Sequence, residues 1–556
     1  MRTLNAETLK NMLISGANNL YNKYPEIDAL NVFPVPDGDT GMNMNLTMSS
    51  GAKEIINRND DNAHTIASSF SKGLLMGARG NSGVITSQIF RGFALSLENK
   101  RELTVIDFAD AFVNGSQVAY KAVMRPVEGT ILTVIRESSS MLNEKVKPDM
   151  TIEKAMDILL SEAKASLKRT PDLLPVLKEV GVVDSGGAGL VTIFEGMRSA
   201  LHDAFIEKIG VTSMDEKPAI KGNVQSQIEA EDAFGYCTEF IMRLGPTDEK
   251  KVFNENRFKS VLGSRGNSIV VVRDDDIVKV HIHTLTPGDI LSYAQNYGEF
   301  VTLKIENMTE QHTKLKQGVD SEQEPQKEET PVGPKKDFAM LAISAGIGID
   351  ELFKELGVDE IVSGGQTMNP STEDIVSKIR KLNAKNVFVF PNNSNIILAA
   401  TQAKDVISGE CNVEIIPSKT IPQGINAVSV YNPDASLEEN IEEMNDAIAR
   451  IKSGSVTNAI KDTSIDGVEI KKDQYMSIFG KTIIDCKEDK IDALYKLLEK
   501  MVDEDSYLLT LLIGEGVTKE ETERIKKHIE ETYPDLETEI REGDQPVYFF
   551  LLGVEW

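Results

Sequence analysis

Two aspartates separated by one glycine, Asp37 and Asp39, stand in the segment "PDGDTG". Like charges this close together resist ionisation unless a cation neutralises them. Carboxylate oxygens suit Mg²⁺, which in proteins takes one or two carboxylates and completes its shell with water and substrate phosphates. Thr40 can cap a following helix, whose first backbone N–H groups favour phosphate. The segment therefore fits a Mg²⁺ and phosphate site, and a solvated acidic turn is the alternative.

Two further polar, glycine-rich breaks lie between predicted helices in the first 210 residues. One is "GARGNSGV", residues 77–84, and the other is "VVDSGGAG", residues 182–189. Their candidate binding residues are Asn81, Ser82, Asp184, Ser185 and Gly186. Each break alone could be an ordinary helix connection, but a helix N-terminus with small residues can also hold a phosphate. Three such breaks in one helical region predict helices that present their ends to one site.

A different donor set appears in the middle of the chain, in "DIVKVHIHTL". Strand alternation would place His281 and His283 on the face opposite Val280. With Cys237, these two histidines make a three-ligand set for Zn²⁺ that leaves a fourth position for water or substrate. The alternative is a core cysteine with two solvent-facing histidines.

The elements that must position these residues fall into three parts. Residues 212–226 and 316–336 lack apolar periodicity, and the second stretch is rich in Glu, Gln, Lys and Pro. Helical periodicity runs through residues 1–211, strand-like segments dominate 227–312, and strands alternate with helices in 337–556. The sequence therefore predicts an all-α domain, then a small α+β middle domain, then an α/β C-terminal domain.

The C-terminal part contains two polar loops of its own. The segment "SGGQTMNPSTEDIV", residues 363–376, predicts a loop that enters a helix, with Ser371 or Thr372 as its cap. The segment "FPNNSN" puts Asn392, Asn393 and Asn395 at the end of a predicted strand, where open α/β sheets commonly bind ligands. Turn chemistry alone would also account for these asparagines.

Composition narrows the classes of partner and location. The chain has 556 residues and a formal net charge of −27, which argues against a nucleic-acid partner. No apolar run approaches the roughly 20 residues of a membrane-spanning helix, and the N-terminus does not resemble a signal peptide. Three widely spaced cysteines do not make a disulfide framework. We therefore expect a cytoplasmic protein without a membrane span.

The motifs "DGDTG", "GNSG", "PVEGTIL" and "DSGGAG", in this order, resemble the nucleotide-binding L domain of dihydroxyacetone kinases. The whole chain is similar to the large subunit of bacterial fatty-acid kinase. The resemblance implies an antiparallel eight-helix barrel that binds Mg-ATP through the loops at one end. It implies that Asp37 and Asp39 hold Mg²⁺. A third aspartate of the dihydroxyacetone kinases has no counterpart in "NVFPVP", where Asn31 is the nearest polar candidate; either Asn31 substitutes for it or the metal shell differs.

The same resemblance implies roles for the other candidate residues. It places Thr40, Gly41, Met42, Asn43, Asn81 and Ser82 at the phosphates, and Asp184, Ser185 and Gly186 near the nucleotide. It also favours Cys237, His281 and His283 as a functional cluster of the middle domain, around Zn²⁺, that orients or polarises the acceptor.

The implied activity is an ATP-dependent kinase that phosphorylates the carboxylate of a fatty acid and yields an acyl-phosphate. The fatty acid would be carried by a separate fatty-acid-binding small subunit, which docks on the C-terminal domain; a homodimer stays open. Two alternatives remain. One is a dihydroxyacetone-type kinase of a small ketose, and the other is a nucleotide-binding scaffold that transfers no phosphate.

Overall fold

The computed structural model places two compact units, one formed by residues 1–212 with 333–556 and the other by 213–332. The structure describes residues 1–31, 38–123, 125–209, 236–245, 253, 258, 261–262, 267–274, 277–284, 286–307, 335–365, 369–459, 462–465 and 467–556. Each unit is described by itself.

The described part of residues 1–209 is mostly helical. The described helices are Ala6–Asp28 (α1), Thr40–Ile55 (α2), Ala63–Gly77 (α3), Gly80–Ser96 (α4), Val105–Ala122 (α5), Ile131–Lys145 (α6), Ile152–Leu173 (α7), Pro175–Val180 (α8) and Ser185–Leu201 (α9). Two short strands, Thr3–Leu4 (β1) and Leu103–Thr104 (β2), pair antiparallel. The predicted all-α character of this region is confirmed.

Side-chain caps explain where several of these helices begin. Asn5 accepts a hydrogen bond from the Thr8 N–H at 2.8 Å at the start of α1. Thr104 and Asp107 form a reciprocal capping box at the start of α5. Such caps satisfy backbone donors that the first helical turn leaves unpaired.

The helices pack in chain order, and the last returns to the first. Each long helix contacts its neighbour in sequence, α7 contacts α9, and α9 contacts α1. The shared core contains phenylalanines packed edge to face, such as Phe93 with Phe112 at 5.0 Å between ring centroids. Ring closure brings the breaks before α2, α4 and α9 toward one another.

The described residues of the unit 213–332 include a four-stranded antiparallel sheet and the helix that follows its third strand in the chain. Its elements are Tyr236–Leu244 (β3), Asn267–Asp274 (β4), Ile277–Thr284 (β5), Pro287–Ala294 (α10) and Gly298–Asn307 (β6). The strand order is β4-β5-β3-β6. Val278, Val280 and Ile282 are buried, as the predicted alternation requires.

The C-terminal part is built on two sheets. The strands are Lys336–Ser344 (β7), Glu360–Ser363 (β8), Ala384–Phe390 (β9), Asn412–Ile415 (β10), Ile451–Asn458 (β11), Thr463–Ile465 (β12), Val468–Ile470 (β13), Tyr475–Phe479 (β14), Thr482–Lys487 (β15), Leu508–Ile513 (β16), Glu537–Glu542 (β17) and Tyr548–Glu555 (β18). The helices are Ile347–Glu355 (α11), Thr372–Leu382 (α12), Ile397–Val406 (α13), Ile421–Ser429 (α14), Leu437–Ala449 (α15), Lys490–Met501 (α16) and Lys519–Thr532 (α17).

Strand order separates the two sheets. The first is parallel, in the order β10-β9-β7-β8. The second is mixed, in the order β15-β14-β11-β18-β16-β17, and β12 pairs with β13 in a separate hairpin. The α/β character of this region is confirmed, and the largely antiparallel second sheet adds to it.

The helical part and the C-terminal part share packing within their common unit. Helix α13 contacts α4, and α12 contacts α3. Ala78 and Val84, at the junction of α3 and α4, join the apolar cluster of the parallel sheet. The boundaries 1–211, 227–312 and 337–556 stay a prediction, while the first and last segments form one compact unit. Of the described helices, none is long and apolar enough to cross a bilayer.

Candidate functional site

One pocket lies where the N-termini of α2, α4, α6 and α9 come together. Its volume is about 200 Å³, and it is lined by Asn31, Asp39, Thr40, Asn43, Asn81, Ser82, Ile85, Ile131, Asp184, Ser185, Gly186 and Asn395. All three glycine-rich breaks singled out in the sequence contribute to this lining. Helix N-termini carry partial positive charge and backbone donors, so their convergence favours an anionic ligand.

The lining separates the sequence candidates into three groups. Nine of them, from Asn31 to Gly186, line the pocket. Gly41 and Met42 stand in the first turn of α2 but do not line it. Asp37 lies outside the described residues.

Asp39 is a buried carboxylate at the start of α2, with 8% of its surface exposed. Its side chain makes no capping hydrogen bond to the helix. It accepts hydrogen bonds instead from the amides of Asn43 and Asn369. Burial raises the pKa of Asp39, and the two amides lower it in part. A carboxylate held in this way is available to a ligand in the pocket.

A second carboxylate, Asp28 at the end of α1, stands beside Asp39 and was not predicted. Its Oδ1 accepts a hydrogen bond from the Met42 N–H at 3.1 Å, and Gly41 donates to it as well. Burial, with a contribution from the charge of Asp39, raises the pKa of Asp28 to about 6. The N–H groups of Gly41 and Met42, which the sequence offered to phosphates, are therefore already used by Asp28.

Gly41 has a local packing reason to be glycine. A Cβ atom there would lie 2.3 Å from the Tyr24 carbonyl oxygen and 3.0 Å from Asp28 Oδ1. The close approach of α2 to the end of α1 depends on this missing side chain. This approach brings Asp28 to the first turn of α2.

Asp184 caps α9 on another side of the pocket. Its Oδ2 accepts a hydrogen bond from the Gly187 N–H at 2.6 Å. Burial raises the pKa of Asp184 to about 6, against the lowering effect of hydrogen bonds from Gly187 and Ile131. Ser185 and Gly186 follow in the first turn of the helix and line the pocket with it.

The start of α4 carries the second break. Gly80 has a φ of +57°, and a Cβ atom there would lie 2.6 Å from Asn43 Nδ2, so both conformation and space require glycine. Asn81 Nδ2 donates to Asn395 Oδ1 at 3.0 Å. Asn81 Oδ1 is buried and has no hydrogen-bond partner in the described part of the chain.

One asparagine of the C-terminal part lines the pocket, and a second contacts a lining residue. Asn395, at the loop after β9, lines it, as a ligand site at a strand end would. Asn369, in the loop before α12, contacts Asp39 directly and was not singled out in the sequence. No local signal distinguishes Asn369 from the other polar residues of its loop, because its role depends on a contact 330 residues away in the chain.

The donors around Asp39 suit a hard cation. Asp28 and Asp39 supply carboxylate oxygens, and Asn81 Oδ1 and Asn369 Oδ1 are buried amide oxygens without partners in the described chain. Mg²⁺ commonly takes one or two carboxylates together with phosphate oxygens. The described residues contain no group of three or more His, Cys, Asp or Glu side chains placed for a metal. The carboxylate of Asp39 and the neighbouring amide oxygens are hard oxygen donors, the kind that Mg²⁺ takes together with phosphate.

The zinc candidates lie in the other unit. In the antiparallel pair of β3 and β5, Cys237 stands opposite His283, and Glu239 stands opposite His281. The side chains of Cys237, His281 and His283 lie outside the described part. The backbone register places Cys237 directly across from His283 on the neighbouring strand. Zinc binding by these residues stays a prediction.

Comparison with known protein families identifies the family of this chain. A DAK2 domain model matches residues 34–199, which contain most of the pocket. Two models of FakA-like fatty acid kinase proteins match residues 233–315 (middle domain) and 339–555 (C-terminal). The chain belongs to the family of FakA-like fatty acid kinase proteins that carry an N-terminal DAK2 domain.

Relatives extend along the full chain. Protein YloV of Bacillus subtilis (strain 168) is 46% identical over 559 residues, covering 100% of both chains. An uncharacterized protein of Staphylococcus aureus (strain USA300) is 45% identical over 557 residues, covering 99% of both. A solved structure, DegV, a fatty acid binding protein from Bacillus subtilis, is 12% identical with a TM-score of 0.30. It covers 40% of this chain and 100% of its own, and a TM-score this low does not establish a shared fold.

Proposed function

We propose that this chain is the ATP-binding component of a fatty acid kinase and transfers the γ-phosphoryl group of ATP to a fatty-acid carboxylate. The observation that carries the proposal is one pocket in which three sequence breaks, four helix N-termini and the buried Asp39 meet. The family match supports a kinase-type phosphotransferase. Because the matched family consists of one component of a larger kinase, it also supports a separate protein that presents the fatty acid.

The proposed ligands of Mg²⁺ are Asp37 and Asp39, with Asp28 as the third carboxylate. Asp28 is our candidate for the third aspartate that the resemblance to dihydroxyacetone kinases calls for, because it contacts the start of α2 and interacts with Asp39. Bound Mg²⁺ would neutralise charge on the β- and γ-phosphates. Asn31 lines the same pocket and remains a candidate ligand.

The other lining residues divide by chemistry. Thr40, Asn43 and Ser82 supply hydroxyl and amide groups toward the phosphates, near the starts of α2 and α4. Ile85 and Ile131 supply apolar surface, which suits the flat faces of a nucleobase. Phosphoryl transfer depends chiefly on positioning and electrostatic stabilisation, so these residues need only hold the nucleotide in place.

The proposed reaction exchanges one bond at phosphorus for another. A carboxylate oxygen of the fatty acid forms a bond to the γ-phosphorus while the bond from that phosphorus to the bridging β-γ oxygen breaks. ADP leaves with the bonding electron pair, and the acyl-phosphate is the product. The donors at the helix N-termini hold the phosphates through this step.

We also infer the finer points of architecture. The closed ring of long helices supports an eight-helix barrel, with α8 as a short turn between α7 and α9. The C-terminal part would dock the fatty-acid-binding small subunit in the cytoplasm. A homodimer is not part of this proposal.

A zinc site in the middle domain belongs to the same proposal. Cys237, His281 and His283 would hold Zn²⁺ and act on the acceptor carboxylate, and the register of β3 and β5 supports the pairing of Cys237 with His283. Metal analysis of the purified full chain should find about one zinc per chain. The variants Cys237→Ala and His283→Ala should each lose it, and zinc retained by both would contradict the assignment.

One assay separates the proposed function from its alternatives. The full chain is incubated with ATP and Mg²⁺, and the acceptor is either a fatty acid on a purified fatty-acid-binding protein or dihydroxyacetone. Hydroxylamine trapping should detect acyl-phosphate only in the first mixture. ATP consumption with dihydroxyacetone would favour the ketose kinase, and nucleotide binding without transfer to either acceptor would favour the scaffold.

A further inference from the structure

We propose that Asn369, in the C-terminal part of the chain, is a positioning residue that orients Asp39 for Mg-ATP binding. The inference rests on the proposed function and adds to it a residue outside the DAK2 match of residues 34–199. The nucleotide site is then completed by two segments of the chain that lie 330 residues apart.

The contact itself is short and buried. Asn369 Nδ2 donates to Asp39 Oδ2 at 2.7 Å, and Asn369 is 2% exposed. A hydrogen bond to an ionised carboxylate is among the stronger kinds, and it gains strength away from water. Asn43 donates to the same carboxylate from within α2. The carboxylate of Asp39 is therefore held between one amide of its own helix and one from the C-terminal part.

The loop that carries Asn369 is anchored to the helical part. Arg79 Nη1 donates to the Asn369 carbonyl oxygen at 2.8 Å, and Arg79 Nη2 lies 3.7 Å from Asp374 Oδ2. The Thr372 N–H also donates to the Ala78 carbonyl oxygen at 3.2 Å. The partners in the helical part, Ala78 and Arg79, immediately precede "GNSG". The hydrogen bonds therefore hold the start of α4 and the segment that begins at Asn369 together.

The remaining amide atom of Asn369 points to a ligand contact. Its Oδ1 is buried and has no hydrogen-bond partner in the described part of the chain. Buried polar atoms are rarely left unpaired, because the lost hydration is not replaced. An acceptor of this kind next to Asp39 suits a site that takes a hydrated cation with its phosphates.

The role predicts a specific pattern of binding. Asn369→Leu keeps the approximate size of the side chain and removes both amide atoms. Binding of the non-hydrolysable analogue AMP-PNP with Mg²⁺ should weaken about tenfold, as expected for the loss of a hydrogen bond to a charged group. Binding of AMP-PNP in EDTA should not change, because Asn369 acts through the carboxylate that holds the cation.

Calorimetry on the full chain can test this pattern with a double-mutant cycle. The variants are Asp39→Asn, Asn369→Leu and the pair, and Asn412→Leu serves as control. Asn412 is an exposed asparagine in the C-terminal part that bonds Asn386. In the Asp39→Asn background, Asn369→Leu should change the affinity by less than about twofold, because a residue acting through Asp39 has nothing left to position.

The outcomes separate a positioning role of Asn369 from a structural one. Equal weakening with Mg²⁺ and in EDTA, or a full effect that persists in the Asp39→Asn background, would overturn the inference and indicate a structural role. No effect of Asn369→Leu would overturn it as well. If Asn369→Leu does not fold, Asn369→Ser replaces it, since the hydroxyl retains a donor and should recover part of the affinity. If Asp39→Asn itself binds Mg-AMP-PNP normally, the proposed site fails, whatever Asn369 does.

Discussion

At the scale of the residue, three carboxyl groups share one physical condition: Asp39 and Asp184, which line the pocket, and Asp28, which lies beside Asp39. Burial raises the pKa of Asp28 and of Asp184 to about 6, and it raises the pKa of Asp39 as well. Ionised carboxylates in such places cost folding free energy unless a cation or a donor compensates. Binding sites commonly keep this cost because the ligand removes it.

The variant Asp184→Asn tests the folding free-energy cost of an ionised carboxylate in the pocket. Asp184 is suited to this test because it is not proposed as a metal ligand. The pKa of Asp184 in the folded protein is about 6, above its ordinary value of 3.8. The free energy of unfolding therefore falls as pH rises from 3.8 through 6, because the folded state resists ionisation of this carboxyl. Asparagine keeps the oxygen that caps Gly187 and cannot ionise. Thermal unfolding should show a gain of about 2 kcal/mol at pH 8 and about 1 kcal/mol at pH 5.

The control for this prediction is Asp110→Asn, at an exposed position of α5. It should leave the melting temperature unchanged at both pH values. A loss of stability in Asp184→Asn that is equal at pH 5 and pH 8 would contradict an ionisation cost at this residue. The affinity for Mg-AMP-PNP, measured on the same variant, reports whether the carboxylate also serves the nucleotide.

Residue types and spacing in the sequence singled out most of the residues that line this pocket, but not all of the residues around it. "DGDTG", "GNSG" and "DSGGAG" could be recognised because glycine, capping residues and carboxylates stand together in short segments. Asp28 could not, since it ends an ordinary amphipathic helix and its part in the site rests on a hydrogen bond to the backbone of Met42, a contact that no short segment shows. Asn31, the nearest polar residue in the sequence, lines the pocket, whereas Asp28 lies beside Asp39, and the third ligand stays a prediction.

At the scale of the element, the ring of helices closes through the contact of α1 with α9. Ser15 Oγ donates to the Gly196 carbonyl oxygen at 2.7 Å, and Asn19 Nδ2 donates to the Thr192 carbonyl oxygen at 2.6 Å. A Cβ atom on Gly196 would lie 2.4 Å from the Ser15 carbonyl oxygen. The two helices can lie this close only because glycine leaves room for the facing backbone.

Gly196→Ala should therefore destabilise the fold although alanine favours helices. The added Cβ meets backbone atoms that cannot rotate away, so we expect a loss of about 1–3 kcal/mol in the free energy of unfolding. Urea unfolding followed by circular dichroism measures it. Gly288→Ala is the matched control, because nothing lies within 4 Å of its added Cβ. A stability loss for Gly196→Ala no larger than that of the control would contradict close packing of α1 on α9.

Element type followed from periodicity in most of the chain. Long amphipathic helices in residues 1–209 and hydrophobic strands such as Lys336–Ser344 and Leu508–Ile513 carry strong local patterns. The strands Ile451–Asn458 and Thr482–Lys487 were not predicted. Their sequences, "IKSGSVTN" and "TIIDCK", are short and partly polar, and they are strands because neighbouring strands supply their backbone partners.

At the scale of the whole molecule, the helical part and the C-terminal part pack together in one compact unit. Gln402 on α13 donates to the Leu75 carbonyl oxygen at 2.6 Å and accepts from Gln88 Nε2 at 2.9 Å. It is 4% exposed, so these bonds replace water entirely. No sequence pattern indicates these contacts, because Leu75 and Gln88 each lie more than 300 residues from Gln402 in the chain.

Ligand binding in the pocket should consequently stabilise the C-terminal part. The one tryptophan of the chain, Trp556, stands at the C-terminal end and reports on that part alone. AMP-PNP with Mg²⁺ at about one hundred times its dissociation constant should raise the melting temperature read from Trp556 fluorescence by about 2–4 °C. Gln402→Ala should reduce that shift. A tryptophan melt that stays fixed while the helical signal rises would contradict a single cooperative unit.

The central claim is that Asp39 takes part in ATP-dependent phosphorylation of a fatty acid. The direct measurement compares wild type, Asp39→Asn and the control Asp110→Asn for acyl-phosphate formed from ATP, Mg²⁺ and a fatty acid on its binding protein. We expect wild type and Asp110→Asn to form product at equal rates and Asp39→Asn to be slower by about a hundredfold or more. Product formation by Asp39→Asn at the wild-type rate would contradict the account.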